Sequence, residues 1–450
     1  MLGKVMRRSS HRDAAANFAE GALVQTAIPI GDEARAGWAK TFAALQHPRF
    51  RWYWMGMLAY FLAMNMGGIA RGWLAYDLTG KATALGLVSL SWGAPMVVFS
   101  LLGGAIADRS DKRAITLVSQ VALFGLAICA AVLVHTGVIR VWHLAALAFA
   151  EGTILSFAIP ARMAWIPELI DERNLMNGIA LNNAAMQTTR IVGPGMAGGL
   201  IALPFFGMTG TFYLIAACYV LVFWFMFQIP SSRGSHSDVK LSLATRMLEG
   251  VRYIARHDLL LLLLILALLL VMLGAPFQIM LPVFAGEKVY DVGSVGLGIM
   301  ATSAGIGATI GALAVGFWGD SFKQGKVQFA AGLGFGVGLA LFGAIDSFLL
   351  ALPILALLGM TSASYLIINN TLVLTYAERR FHGRVMSVYL LTWSIMPVVA
   401  MPIAALADIV GVQRTVLGLG LALVVLLAGI RLFHPGLRHL DNLPPPSSTE

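Results

Sequence analysis

The chain has 450 residues, 58% of them hydrophobic and 12% charged, with a mean hydropathy of +0.79. A water-soluble domain carries about a quarter charged residues, so most of this chain is built for lipid rather than water. A net charge of +9 would suit nucleic acid if it were gathered on one face, but its placement along the chain ties it to membrane topology instead. The two cysteines, Cys129 and Cys218, lie in apolar runs where they serve as small packing residues, and no HxxxH or CxxC spacing offers a metal site.

Residues 1–48 are polar and mix Asp13, Glu20, Asp32 and Glu33 with arginines. A transit peptide would be poor in acids, and a cleavable signal would contain an apolar stretch. The segment reads as an N-terminal cytoplasmic tail without a fixed fold. Crossing about 30 Å of hydrocarbon takes roughly 20 apolar residues. Runs of that kind occur at 52–76, 84–107, 114–134, 141–163, 178–202, 208–229, 258–285, 293–318, 327–345, 349–374, 385–409 and 411–433. None shows the alternation of a barrel strand, and a helix is then the way to satisfy every backbone group in lipid. The long break at 230–257 opens "PSSRGSHSDVK" and continues "LSLATRMLEGVRYIARH", whose apolar and basic positions suit a surface helix. The chain therefore divides into a tail (1–48), a six-helix bundle (49–229), a cytoplasmic linker (230–257), a second six-helix bundle (258–433) and a tail (434–450) ending "PPPSSTE".

Basic residues orient such a protein. With both termini in the cytoplasm, the outer loops hold only Lys81, Arg140, Lys288 and Arg414, and the spans hold Arg71 and Arg190; the other 25 of the 31 Lys and Arg lie on the inner side. The excess charge reports topology, and nucleic acid is not an expected partner.

Two loops repeat. "GGAIADRSDKRAI" (103–115) joins the second span to the third, and "GFWGDSFKQGK" (316–326) joins the eighth to the ninth, with Asp108 and Asp320 212 residues apart. A glycine-rich helix end, an Asp and a basic turn recurring at about half the chain indicate a duplicated scaffold, the way many secondary transporters are built. Gly103 and Gly104 let neighbouring helices approach closely.

The first of these loops resembles the signature loop of the major facilitator superfamily. "RGWLAYDLTG" (71–80), "IPARMAWIPELIDERNLMNGIALNNAAMQTTRIVGPGMAGGL" (159–200) and "RRFHGRVMSVYL" (379–390) are similar to the branch that holds the bacterial enterobactin exporter and related multidrug and macrolide exporters. The resemblance implies an all-α membrane protein of twelve transmembrane helices in two pseudo-symmetric six-helix bundles. It also implies a cytoplasmic latch, in which Asp108 faces Arg384 at the start of the eleventh span, Arg109 and Arg113 bind nearby acids, and Arg162 is a second candidate partner. Asp320 is followed by Ser321 rather than Arg, so a matching latch in the second half should be weaker. "GPGMAGG" (193–199) resembles an antiporter motif of the fifth span, although one extra residue separates Gly-Pro from the glycine pair. There Gly193, Gly198 and Gly199 permit close packing, and Pro194 removes a backbone donor.

Charges at membrane depth are functional candidates because they are costly unless paired or wet. Glu151 and Arg190 sit at similar depths in consecutive spans, which predicts an ion pair. Either it carries the coupling proton, with Arg190 as counter-charge, or it is a permanent structural pair. Asn183, Gln187 and Arg190 follow i, i+4, i+7 and share one helical face. Arg71 is expected near the outer surface, snorkelling, pairing with Asp77 or attracting an anionic substrate. Asn65, Gln278 and Asn369, with its neighbour Asn370, are further candidates for the cavity or for interhelical hydrogen bonds. The 24 Phe, 21 Met and 10 Trp supply soft side chains suited to a cavity that accepts many shapes.

No GxxxxGK[ST] is present and no nucleophile–base constellation lies outside the membrane, so a pump fed by ATP and an enzyme are not expected. The expected protein is a monomeric bacterial inner-membrane exporter that needs no cofactor beyond a proton gradient and exchanges protons for a small amphiphilic, drug- or siderophore-like molecule. Import or facilitated diffusion of a nutrient, and a transporter-like receptor or lipid-handling protein, are the alternatives.

Overall fold

A computed structural model of the chain describes residues 42–230, 243–318 and 323–433. Among these residues there is no strand; the helices are α1 (Pro48–Asp77), α2 (Ala82–Arg109), α3 (Lys112–His135), α4 (Val141–Leu169), α5 (Leu175–Ala202), α6 (Gly207–Phe227), α7 (Leu243–Ala255), α8 (Asp258–Leu269), α9 (Pro276–Ala285), α10 (Gly293–Trp318), α11 (Gln324–Ala344), α12 (Phe348–Tyr376), α13 (His382–Ser394), α14 (Met396–Val410) and α15 (Val412–Phe433). Two spans are broken. A π-turn at Leu270–Gly274 links α8 to α9, where Pro276 lacks the N–H to continue the ladder. Pro397 opens α14 just after α13 ends.

Nine of the described spans are long and apolar enough to cross a bilayer. The three that fall short complete the twelve: α1 carries Asn65 and Arg71, α5 carries Asn183, Gln187 and Arg190, and the eleventh is divided between α13 and α14. Helices also overrun the apolar runs. The fourth was expected to stop at residue 163, yet α4 reaches Leu169, because backbone hydrogen bonding continues into the interface where hydropathy has already dropped.

The duplication is visible in the packing. In the first half α2 lies along α4, α3 along α6, and α1 along α5 and α6; in the second, α10 lies along α12 and α11 along α12 and α15. Close approach comes from glycine. A Cβ on Gly103 would stand 2.0 Å from the Ser156 carbonyl oxygen of α4, and in the other half one on Gly359 would stand 1.9 Å from that of Ala304.

Two seams join the halves, α2 with α14 and α5 with α10. Both occupy the end of the molecule that holds the starts of α2 and α10 and the end of α5, here called the distal end. A Cβ on Gly93 would lie 2.2 Å from Pro397 Cγ, and one on Gly198 would lie 2.3 Å from the Ser294 carbonyl oxygen. Among the described residues, the hydrogen bonds across the seams follow the same distribution. Asp408 accepts from the backbone N–H of Ala82 (2.7 Å) and Thr83 (2.8 Å) and from the Thr83 hydroxyl, Lys288 Nζ donates to the Gly80 carbonyl (2.8 Å), and Thr302 Oγ1 donates to the Ile191 carbonyl (3.0 Å). Asp408 thereby caps the start of α2 from the opposite half of the molecule.

The linker helix α7 belongs to the second half. Tyr253 stacks on Phe381 at 4.1 Å, its hydroxyl accepts from the Glu378 N–H (3.2 Å), and Glu249 pairs with Arg384 at 3.1 Å.

Candidate binding cavity

Between the halves lies a cavity of about 390 Å³, within the range of small-molecule sites. α1, α2, α4 and α5 wall it on one side, and α9, α10 and Met396 on the other. Its walls are mainly apolar, with Ile69, Leu85, Val88 and Leu297 among them, and its polar groups are Asn65, Arg71, Ser89, Trp92, Glu151, Arg190 and Gln278.

Glu151 is 6% exposed and bonds Arg71, not Arg190, with Nη1 2.6 Å from Oε2. This corrects the sequence expectation on two counts. First, α4 packs chiefly on α2 and α3 while α5 packs on α1 and α10, so helices consecutive in sequence are not the neighbours that would bring Glu151 to Arg190. Second, Arg71 does not stay at the surface. It lies six residues before Asp77, and Glu151 lies ten after Val141, a difference in depth of about 6 Å at 1.5 Å per residue. Side chains on a helix lean toward its N-terminus, which for α1 is toward the membrane centre, and an arginine is long enough to close that gap. Gly67, one turn earlier, makes the room: a Cβ there would stand 3.1 Å from Arg71 Nη1. Sequence reasoning passed over Gly67, although a glycine four residues before a mid-span arginine was a readable signal.

A second, small cavity of about 30 Å³ lies inside the first bundle, lined by Arg71, Glu151 and Tyr219 among others. Room for a water takes about 10–15 Å³, so the ion pair stands between the large cavity and a space for one or two waters.

Arg190 reaches the large cavity and is exposed there. Among the described residues no acidic group lies within 4 Å of it. Asn65 lines the cavity while its Nδ2 donates to the Phe61 carbonyl (2.8 Å), and Gln278 lines it from α9. Trp92, missed in the sequence, contributes a buried indole N–H with no hydrogen-bond partner. Asn183 is exposed and Gln187 half-buried; they continue the Arg190 face toward the termini, outside the cavity lining. Asn369 is also outside it. It is fully buried and donates to the Leu263 carbonyl of α8 (3.1 Å), so it joins helices; Asn370 Oδ1 is buried without a partner.

The glycine motif of α5 lies in the seam beside the cavity. A Cβ on Gly193 would sit 2.7 Å from Asn65 Cβ, Gly198 meets α10, and the Pro194 carbonyl oxygen would be 2.8 Å from a Cβ on Gly298. Gly199 differs, because nothing lies within 4 Å of its Cβ position; its neighbour Gly198 takes the contact face.

The loop residues are engaged within their own halves. Arg113 donates to the Phe227 carbonyl (2.8 Å) rather than to an acid, and Lys112 pairs with Glu168 at 2.7 Å. Arg162 is buried, stacks on Tyr60 at 3.8 Å, and has both terminal nitrogens without a partner. Arg384 is held by Glu249. Gly104 is half-buried near the end of α2; the side chains of Asp108 and Arg109, and the whole of Asp320, lie outside the described residues. Among the described residues, then, Arg384 is paired with Glu249 and Arg162 lies on the Tyr60 ring with Nε donating to the Ala158 carbonyl (3.2 Å).

The comparisons agree with this architecture. The family model described as "Transmembrane secretion effector" matches residues 39–448. The enterobactin exporter EntS of Escherichia coli (strain K12) is 24% identical over 423 residues, covering 91% of this chain and 98% of that one. Among solved structures, the nucleoside transporter NupG superposes with a TM-score of 0.66 at 13% identity, covering 88% of this chain and 100% of that one. A bacterial homologue of the human lysosomal transporter Spinster, in an inward-facing and occupied conformation, gives 0.68 at 11% identity, covering 88% and 98%. At these identities the structures speak for the fold. A polytopic helical membrane protein with a duplicated scaffold and a central cavity, matched along nearly its whole length, is a transport protein rather than an enzyme: the chain belongs to the transmembrane secretion effector family of the major facilitator superfamily.

Proposed function

We propose that the protein exports a small amphiphilic molecule across the bacterial inner membrane in exchange for protons, as a monomer with both termini in the cytoplasm. The observation that carries this reading is the Arg71–Glu151 pair, a buried carboxylate on the wall of the cavity between the halves. An acid at that depth can present its proton to either side as the halves rock, and the Arg71 guanidinium at 2.6 Å is the partner it leaves when it takes one up. The distribution of Lys and Arg supports the orientation. With the termini inside, the closed distal end faces the periplasm and the present conformation is inward-facing.

In this cycle cargo enters from the cytoplasm, the halves close around it, and the distal seams part. Proton uptake by Glu151 from the periplasmic side releases Arg71, and the protonated carrier returns. The loop at 103–115 acts on the cytoplasmic side, where Asp108 would exchange onto Arg384 once Glu249 lets go. The kinship with an enterobactin exporter supports the outward direction, and the mainly apolar cavity wall supports an amphiphilic cargo.

Inverted membrane vesicles test it. With an imposed pH gradient, vesicles carrying the chain accumulate amphiphilic dye, and Glu151→Gln abolishes accumulation while dye binding persists. Undiminished uptake against a gradient by Glu151→Gln removes the proton role. Uptake indifferent to pH favours a facilitator instead.

A further inference from the structure

We infer that the cargo carries an anionic group and that Arg190 is its anchor. This rests on the transport reading above and adds the chemical class of what is carried. The charge balance of the cavity leads to it. Arg71 and Glu151 cancel each other across 2.6 Å, and Arg190 remains as an unmatched cation, exposed to the cavity with no acid within 4 Å among the described residues. In the open conformation water can solvate it. Cargo that fills the cavity displaces most of that water as the halves close, whereas the empty carrier can return with its cavity wet, and a guanidinium left without water or a counter-charge at membrane depth is costly. The cavity's one carboxylate is already committed, so the compensating charge comes with the cargo.

The rest of the lining is compatible with this. Arg190 offers up to five N–H donors in a planar fork suited to a carboxylate, phenolate or sulfonate. Asn65, Ser89 and Gln278 add neutral polar groups, while Ile69, Leu85, Val88 and Leu297 give the body of the molecule an apolar bed. A net-positive site with greasy walls fits an amphiphilic anion and disfavours the lipophilic cation. Arg71 has a distinct part: by staying on Glu151 it keeps that carboxylate from repelling the anion.

The test uses the purified full chain in detergent micelles, with dansyl-leucine as the anionic probe and its uncharged methyl ester as the matched control. The wild-type chain binds the acid more tightly than the ester by at least about tenfold, the worth of one hydrogen-bonded charge contact. Arg190→Gln erases that preference with little effect on the ester, and Arg190→Lys restores part of it. Glu151→Gln, which leaves Arg71 unmatched as well, strengthens acid binding. Three results overturn the inference: no acid preference in the wild-type chain, an equal preference in Arg190→Gln, or no acid binding at millimolar concentration. Because these measurements use no gradient, they stand or fall separately from proton coupling, which Glu151→Gln vesicles decide.

Discussion

Neutralising Arg71 tests the organisation of the cavity wall most sharply. At 2.6 Å and an effective dielectric constant of about 20, the attraction between Arg71 and Glu151 is about 6 kcal/mol. Desolvating two partly buried ions offsets about half of this, leaving a coupling of about 3 kcal/mol. Arg71→Gln should therefore destabilise the protein by about 3 kcal/mol, because it strands a carboxylate in a residue that is only 6% exposed. Glu151→Gln should cost less, since the side chain of Arg71 is 19% exposed and can turn to cavity water. The double substitution should recover most of the loss. The assay is the midpoint of detergent-induced unfolding for the wild-type, single and double variants, read as a double-mutant cycle. A parallel cycle between Glu151 and Arg190 should give a coupling below about 0.5 kcal/mol. Additive effects at Arg71 and Glu151, or a larger coupling through Arg190, would refute the pairing and return the carboxylate to the partner that the sequence suggested.

The other expectations follow from neighbouring contacts. Gly67→Leu places atoms where Arg71 Nη1 lies, 3.1 Å from the Cβ position, so it should cost about 1–3 kcal/mol in the same unfolding assay and add little to Arg71→Gln. Gly93→Val wedges α2 from Pro397, whose Cγ would lie 2.2 Å from the new Cβ; spin labels at 138 and 349, with Cys129 and Cys218 replaced by Ser, should show a longer distal distance, and an unchanged distribution would count against the seam as the gate. Asp408→Ala removes the cap on α2 and should weaken distal closure by about 0.5–2 kcal/mol, seen as faster amide exchange at Ala82 and Thr83. Asn369→Ala should lower stability by about 1 kcal/mol through the lost bond to Leu263 while leaving cargo affinity unchanged; a loss of affinity would move Asn369 back to the cavity.

What the sequence made legible was whatever lipid enforces. Apolar length located the spans, and the spacing of Asp108 and Asp320 revealed a duplication that the packing of α2 on α4 and of α10 on α12 repeats. Depth was also right for Glu151 and Arg190, which reach one cavity, while Arg71 was placed too near the surface because its reach back along α1 is not written in its position. What could not be read was azimuth and neighbourhood. Hydropathy gives no order of helices in a bundle, so Glu151 was assigned the charge next in sequence rather than the one on α1 that packing and Gly67 bring within reach. Asn369 stayed open between cavity and interhelical bond for the same reason, since a buried amide that serves a neighbouring carbonyl, as it does here, has the same one-dimensional pattern as one that serves a ligand. Trp92 was invisible because an indole in an apolar span carries no mark of facing a cavity.

In the proposed cycle Glu151 trades a proton for cargo. Purified protein in liposomes loaded with a pH-sensitive dye, given a gradient of dansyl-leucine and no other driving force, measures this directly. Protons should move opposite to the cargo in the wild-type chain and not at all in Glu151→Gln, whose binding of the probe is retained. Equal proton signals in the two proteins, or cargo flux in the wild type with no proton signal, would contradict it.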